Sequence, residues 1–339
     1  MKKTIKNKLS LLIVLLLTIV VLYFSLRNDF DDVVQELRNA NIWWFLIAVI
    51  SVLGYYFLSS VSMHLIIKKY NKDYTLWQTV KLKFKTKFFD TITPTSTGGQ
   101  PYQVYSLTSS GISVLDSTNI CLQSFVVFQV ALVLMGIMAV CANNVLHLFT
   151  ANEGLKILVL IGFLINTGIA VFLFLVSFTT KFNNFIYRKV INIAVKLHLV
   201  KDVEKTNKMY EEYVKNVKAG TTSLLKNKKE FLLIILLNFV GLCLEYIVPL
   251  FVLYSIGDYT SFGAFKCIIA SAYVLLMGSF IPLPGGTGGL EYGFVSFFGN
   301  FLTGGKLTTL MLLWRFITYY LIMILGAIAL NIRKKEESL

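Results

Sequence analysis

Two short stretches of this sequence hold the residues best suited to grip a ligand. Thr93-Pro94-Thr95-Ser96-Thr97-Gly98-Gly99-Gln100-Pro101-Tyr102 and Leu283-Pro284-Gly285-Gly286-Thr287-Gly288-Gly289-Leu290-Glu291-Tyr292 share the pattern Pro-x-x-Thr-Gly-Gly-x-x-Tyr, 190 residues apart. Proline lacks an N–H donor and stops a helix. Glycine permits positive φ and close backbone approach. Breaks of this kind leave exposed N–H groups and half-helix N-termini, which attract anions. A phosphate headgroup is a fitting anion. The candidate contacts are Pro94, Thr97, Gly98, Gly99, Gln100, Tyr102, Pro284, Gly285, Gly286, Thr287, Gly288 and Gly289. The plainer alternative is a pair of tightly packed helix kinks.

Three ionisable residues join them: Glu291 beside the second glycine cluster, and Glu245 and Arg315 inside apolar runs. A charge at membrane depth is costly and normally faces a cavity or a partner. Arg315 is expected either to pair with Glu291 or Glu245, or to hold phosphate with its planar fork. Asp90 and Asp116 flank the first motif as caps or interface residues. Lys81, Lys83, Lys85 and Lys87 alternate before it. On a helix they spread over opposite faces, so this arm is expected at the interface near anionic headgroups. Asp29, Asp31 and Asp32 read most simply as the start of a helix.

The elements that position these residues follow from composition. Of 339 residues, 56% are hydrophobic and 15% charged, against about 25% charged in an ordinary soluble domain. The apolar residues fall in blocks, which settles the membrane class. A net charge of +14 sits between those blocks. It reads as topology and anionic lipid, not as nucleic-acid binding. Cys121, Cys141, Cys243 and Cys267 lie in apolar segments without a CxxC pair, and the three histidines are far apart. No metal or other cofactor is expected.

A helix needs about 20 apolar residues to cross a bilayer. Segments 9–26, 42–67, 117–142, 155–178, 231–255 and 307–331 qualify. The first follows a lysine-rich start and lacks a cleavage site, as a retained signal-anchor would. Lys and Arg mark cytoplasmic loops. Residues 68–87 carry seven lysines and 181–230 carry twelve Lys or Arg, whereas 27–41 hold four acids. Both termini are therefore expected in the cytoplasm of a multi-pass cell-membrane protein. The alternation holds only if 74–109 and 262–303 enter and leave on one side. The first would dip from the cytoplasm, the second from outside.

The expected fold is all-α and polytopic: about six spanning helices plus two re-entrant broken hairpins in an inverted repeat. The chain reads as one domain, 1–339, with repeats 42–142 and 231–331. The loop 181–230 reads as two amphipathic helices, lying on the membrane surface or packed on the bundle.

At Thr93–Tyr105 and Pro282–Phe294, together with Gly111-Ile112-Ser113 and Leu313-Trp314-Arg315-Phe316, the sequence resembles the lysylphosphatidylglycerol synthase/flippase membrane-domain family. Full-length members of that family join this membrane part to a cytosolic domain that moves lysine from lysyl-tRNA to phosphatidylglycerol. The membrane part is held to flip the product, which confers resistance to cationic peptides. The resemblance implies a flippase-like transporter of a phospholipid or polyprenyl lipid. A second reading is a phosphatidylglycerol lysyltransferase-family protein, or the membrane partner of a separate soluble transferase. The chain ends eight residues after its last span, and its largest soluble loop is about 50 residues. No catalytic residues are therefore expected, and no lysyl transfer by this chain alone.

Overall fold

The computed structural model describes residues 30–93, 97–149, 153–196, 202–278 and 283–336. The segment 9–26, expected to span, lies outside them. The helices are α1 (Phe30–Arg38), α2 (Ile42–Ile67), α3 (Leu76–Thr91), α4 (Gly99–Ser109), α5 (Val114–Leu146), α6 (Glu153–Phe178), α7 (Thr180–Lys196), α8 (Val203–Lys226), α9 (Lys228–Tyr246), α10 (Val248–Ser255), α11 (Ala264–Gly278), α12 (Gly289–Phe298), α13 (Gly304–Arg315) and α14 (Ile322–Glu336). Among the described residues five stretches are long and apolar enough to cross a membrane: Ile42–Ile67, Val114–Leu146, Gly154–Val176, Lys228–Ser255 and Gly304–Asn331. The protein is a polytopic helical membrane protein.

Helix boundaries follow local chemistry. The Asn41 side chain caps α2 by accepting from the Trp43 N–H at 2.9 Å. Thr75 and Gln78 form a reciprocal capping box at the start of α3. The fifth spanning stretch is interrupted after Arg315 by a wide π-turn, Phe316–Leu321. The fourth is broken between α9 and α10 by Pro249, which has no N–H to give. There the Leu250 N–H bonds to Ile247 O instead of reaching back a full turn. The freed Tyr246 carbonyl accepts from Ser271 Oγ at 2.8 Å and Cys267 Sγ at 3.4 Å. This satisfies a polar group that lipid could not.

Packing is reciprocal. The hairpin arm α3 lies against α14, and the hairpin arm α11 lies against α5, while α2 packs on α9. The first half thus lends its hairpin to the last helix of the second half, and receives the other hairpin on its own last helix. Two apolar cores result. Ala48, Val52, Ala131 and Met135 belong to one; Met63, Ile66, Ile67, Ile120 and Val127 belong to the other.

The loop 181–230 forms α7 and α8, joined by stacked Tyr187 and Tyr210 rings 3.6 Å apart. Of the two placements expected for it, α8 takes packing on the bundle. Its Gly220 abuts Tyr70, Asn119 and Gln123, Val217 and Leu224 are buried, and Asn119 Nδ2 donates to the Asn216 carbonyl at 2.9 Å.

Candidate functional site

The two motifs break their helices at matching positions. The second half of each hairpin starts at the second glycine of the motif's Gly-Gly pair, Gly99 in α4 and Gly289 in α12. Each break carries its own carboxylate. Asp90, near the end of α3, accepts from the Gly99 N–H at 2.8 Å, and Thr93 Oγ1 accepts from the Gly98 N–H at 2.9 Å. In the second break Glu291 Oε2 accepts from the Gly288 N–H at 2.6 Å, and Leu283 O accepts from the Gly286 N–H at 3.0 Å. These four N–H groups are therefore not the open anion donors expected from the sequence. A fixed carboxylate already occupies each half-helix N-terminus, where the helix dipole favours negative charge.

Glu291 serves a second partner. Its Oε1 accepts from Arg315 Nε, and Arg315 Nη2 donates to the Gly285 carbonyl at 3.1 Å. The guanidinium also lies 5.1 Å from the Tyr319 ring centroid and 5.6 Å from that of Trp314. Arg315 is 6% exposed and Glu291 7%, so this is a buried ion pair that clamps the second break. Between the two acids open in the sequence, Arg315 takes Glu291. Gly285, at φ +62°, faces the Tyr319 ring so closely that no Cβ fits, and Tyr319 Oη donates to Thr91 O of the first hairpin at 3.2 Å. One residue thus links both breaks.

Two adjoining cavities open beside the first core. The larger, about 350 Å³, is lined by Tyr55, Lys87, Asn166, Glu245, Tyr246, Ser271, Gly285, Gly286, Arg315, Thr318 and Tyr319 among apolar residues. The smaller, about 230 Å³, is lined by Tyr56, Ser59, Lys83, Thr86, Asp90, Gln100, Gln103, Cys121 and Ser124, and shares Tyr55, Lys87 and Phe128 with the first. On α2 the cavity residues Tyr55, Tyr56 and Ser59 lie about halfway along the 26-residue helix.

Of the residues singled out from sequence, Gly285, Gly286, Glu245 and Arg315 meet at the larger cavity, and Gln100 at the smaller. Thr97 and Gly288 are exposed at their breaks, Thr287 is buried, and Gly98, Gly99 and Gly289 are backbone elements of the breaks. Tyr102 stacks on Phe89 at 4.4 Å. Pro284 opens a short 3-10 turn; Pro94 lies outside the described residues. The sequence reading did not single out Lys83 and Lys87 as site residues, yet both line the cavities, while Lys85 on the other side of α3 is buried. Their i, i+4 spacing was the available signal.

Residues 9–326 match the lysylphosphatidylglycerol synthase TM region. The chain belongs to that family. The chain is similar to a UPF0104 membrane protein of Archaeoglobus fulgidus, 23% identical over 308 residues, covering 87% of this chain and 88% of that protein. The match takes in both broken hairpins and Arg315, so the cavities lie within the part that defines the family.

Proposed function

We propose that this chain is a flippase-like transporter that carries the headgroup of a phospholipid or lipid-linked molecule across the membrane, through the two adjoining cavities. The observation that carries the reading is the grouping of Lys87, Glu245 and Arg315 around one cavity of about 350 Å³ inside a helical membrane bundle. Charges at that depth are costly unless they serve a polar passenger or a partner. Arg315 has its partner; Lys87 and Lys83 supply cationic surface for a phosphate. The apolar remainder of the lining suits the start of the acyl chains. The reciprocal packing of the hairpins supports the inverted-repeat reading, in which one half rocks against the other about a central site. On this reading the termini and α7–α8 are cytoplasmic. The family's link to lysyl-phosphatidylglycerol and cationic-peptide resistance makes an anionic or aminoacylated phospholipid the first lipid to try.

The test is reconstitution. In proteoliposomes the purified protein should move a fluorescent phosphatidylglycerol between leaflets, and Lys87→Met should slow it at unchanged thermal stability. A stable, correctly inserted protein that moves no phospholipid would remove this reading.

A further inference from the structure

Glu245 and Lys87 both line the larger cavity, one from α9 and the other from α3. Among the described residues the Glu245 carboxylate makes no salt bridge and no hydrogen bond, whereas that of the second intramembrane acid, Glu291, is held by Arg315 and the Gly288 N–H. Lys87 likewise makes no direct salt bridge among the described residues. Its charge is felt by two carboxylates. One is Glu245 across the cavity; the other is Asp90, three residues further along its own helix and lining the adjoining cavity. The other ionisable groups lining the cavity with Glu245 are Tyr55 from α2, its neighbour Tyr246, Tyr319 from the π-turn, and Arg315, which Glu291 neutralises. The α5, α6 and α11 walls contribute only Asn166, Ser271 and apolar residues.

A carboxylate at this depth must be neutralised, by a cation or by a proton. Lys87 can satisfy Glu245 or Asp90, and the two lie in different cavities. We propose that Glu245 is a proton carrier and that its proton competes with Lys87, coupling proton movement to lipid movement; this rests on the transport reading above. When Glu245 is ionised it draws Lys87 into the larger cavity. When a proton from water converts it to the neutral acid, Lys87 turns to Asp90 and the larger cavity loses its cation. The proton leaves to the opposite side when Lys87 returns. Tyr55, Tyr246, Ser271 and Asn166 provide hydroxyl and amide groups to solvate the acid in both states. The break at Pro249, directly after Glu245 and Tyr246, gives this part of the helix the freedom to adjust.

Two measurements on the full chain test the proposal. Infrared difference spectra, recorded as pH is varied, should show the C=O band of a protonated carboxyl that is lost in Glu245→Gln. In Lys87→Met the midpoint of that band should move to higher pH by about one unit or more, because the competing cation is gone. A merely structural glutamate would not respond to Lys87. In vesicles of phosphatidylethanolamine and phosphatidylglycerol, an imposed pH gradient should speed translocation of fluorescent phosphatidylglycerol several-fold. An internal pH dye should report the accompanying protons, and Glu245→Gln should remove the gradient response. A band that survives Glu245→Gln, or a midpoint unmoved by Lys87→Met, overturns the proposal. Lipid movement indifferent to the gradient overturns the coupling alone. A titration as expected with no lipid movement under any gradient overturns the transport reading and the coupling with it.

Discussion

Replacing Arg315 by methionine leaves Glu291 buried with only the Gly288 N–H to satisfy it. Removing one partner of a buried pair costs about 3–5 kcal/mol, and about 4 kcal/mol is expected here. Glu291→Gln strands the guanidinium instead. That group keeps the Gly285 carbonyl and the faces of Trp314 and Tyr319, so about 3 kcal/mol is expected, the low end of the same range. Independent losses would sum to about 7 kcal/mol, but contacting residues couple by up to about 3 kcal/mol. The double variant should then lie near 4 kcal/mol, roughly no worse than Arg315→Met alone. Arg315→Lys should fall between, since one ammonium cannot reproduce a fork that reaches Glu291 and Gly285 together. The assay is unfolding by sodium dodecyl sulfate in mixed micelles, followed by the fluorescence of Trp314 and the other tryptophans. A double variant as unstable as the sum of the singles would refute the clamp, and with it the claim that Arg315 is held by Glu291.

Four further outcomes follow from the same structure. Gly285→Ala should lower the melting temperature markedly, because its φ of +62° disfavours any Cβ and Tyr319 occupies the space one would need; an unchanged melting temperature would contradict the packing at that break. Asp258, in the loop between α10 and α11, has its carboxyl held below the usual carboxylate range. Partial burial pushes it up but is outweighed by the Ser261 hydroxyl, the Thr260 and Ser261 N–H groups and the Lys306 ammonium. Its stabilising effect should be full above the unfolded-state value of about 3.9 and fade as pH falls through the lower folded value, so the stability cost of Asp258→Asn, read from melting temperatures, should be largest at neutral pH and shrink steadily on acidification. Gly220→Leu should lift α8 off Tyr70, Asn119 and Gln123, giving faster hydrogen exchange in α8 while the spanning helices stay protected. Lys218→Cys in a background with the exposed Cys141 changed to Ser should resist an impermeant thiol reagent in intact cells; rapid labelling would reverse the proposed orientation.

The architecture was legible because it rests on long-range regularities of composition. Block hydropathy places the five described spans within a few residues, and the repeated Pro and Gly pattern marks both breaks, down to the matching starts at Gly99 and Gly289. Intramembrane charge pointed to Glu245, Glu291 and Arg315. What the sequence could not carry was partner choice. Gly98 and Gly99 read as open donors because Thr93 and Asp90 reach back across the break only once the chain has turned. Lys83 and Lys87 read as interfacial because an alternating lysine run shows no face until α14 and α9 are packed around α3 or its cavity. Tyr55, Tyr246 and Tyr319 are common residues in apolar helices, and only three-dimensional packing turns them into the wall of a polar cavity.

On the transport proposal a lipid headgroup occupies the cavity bounded by Lys87, Glu245 and Arg315. The most direct test uses a phosphatidylglycerol bearing a diazirine in its headgroup, photolysed in proteoliposomes and mapped by peptide mass spectrometry. Label is expected on the cavity-lining peptides of α3 and α9, around Lys87 and Glu245, and should fall in Lys87→Met. Label confined to lipid-facing positions such as Leu160 and Leu164 of α6, indifferent to Lys87, would contradict it.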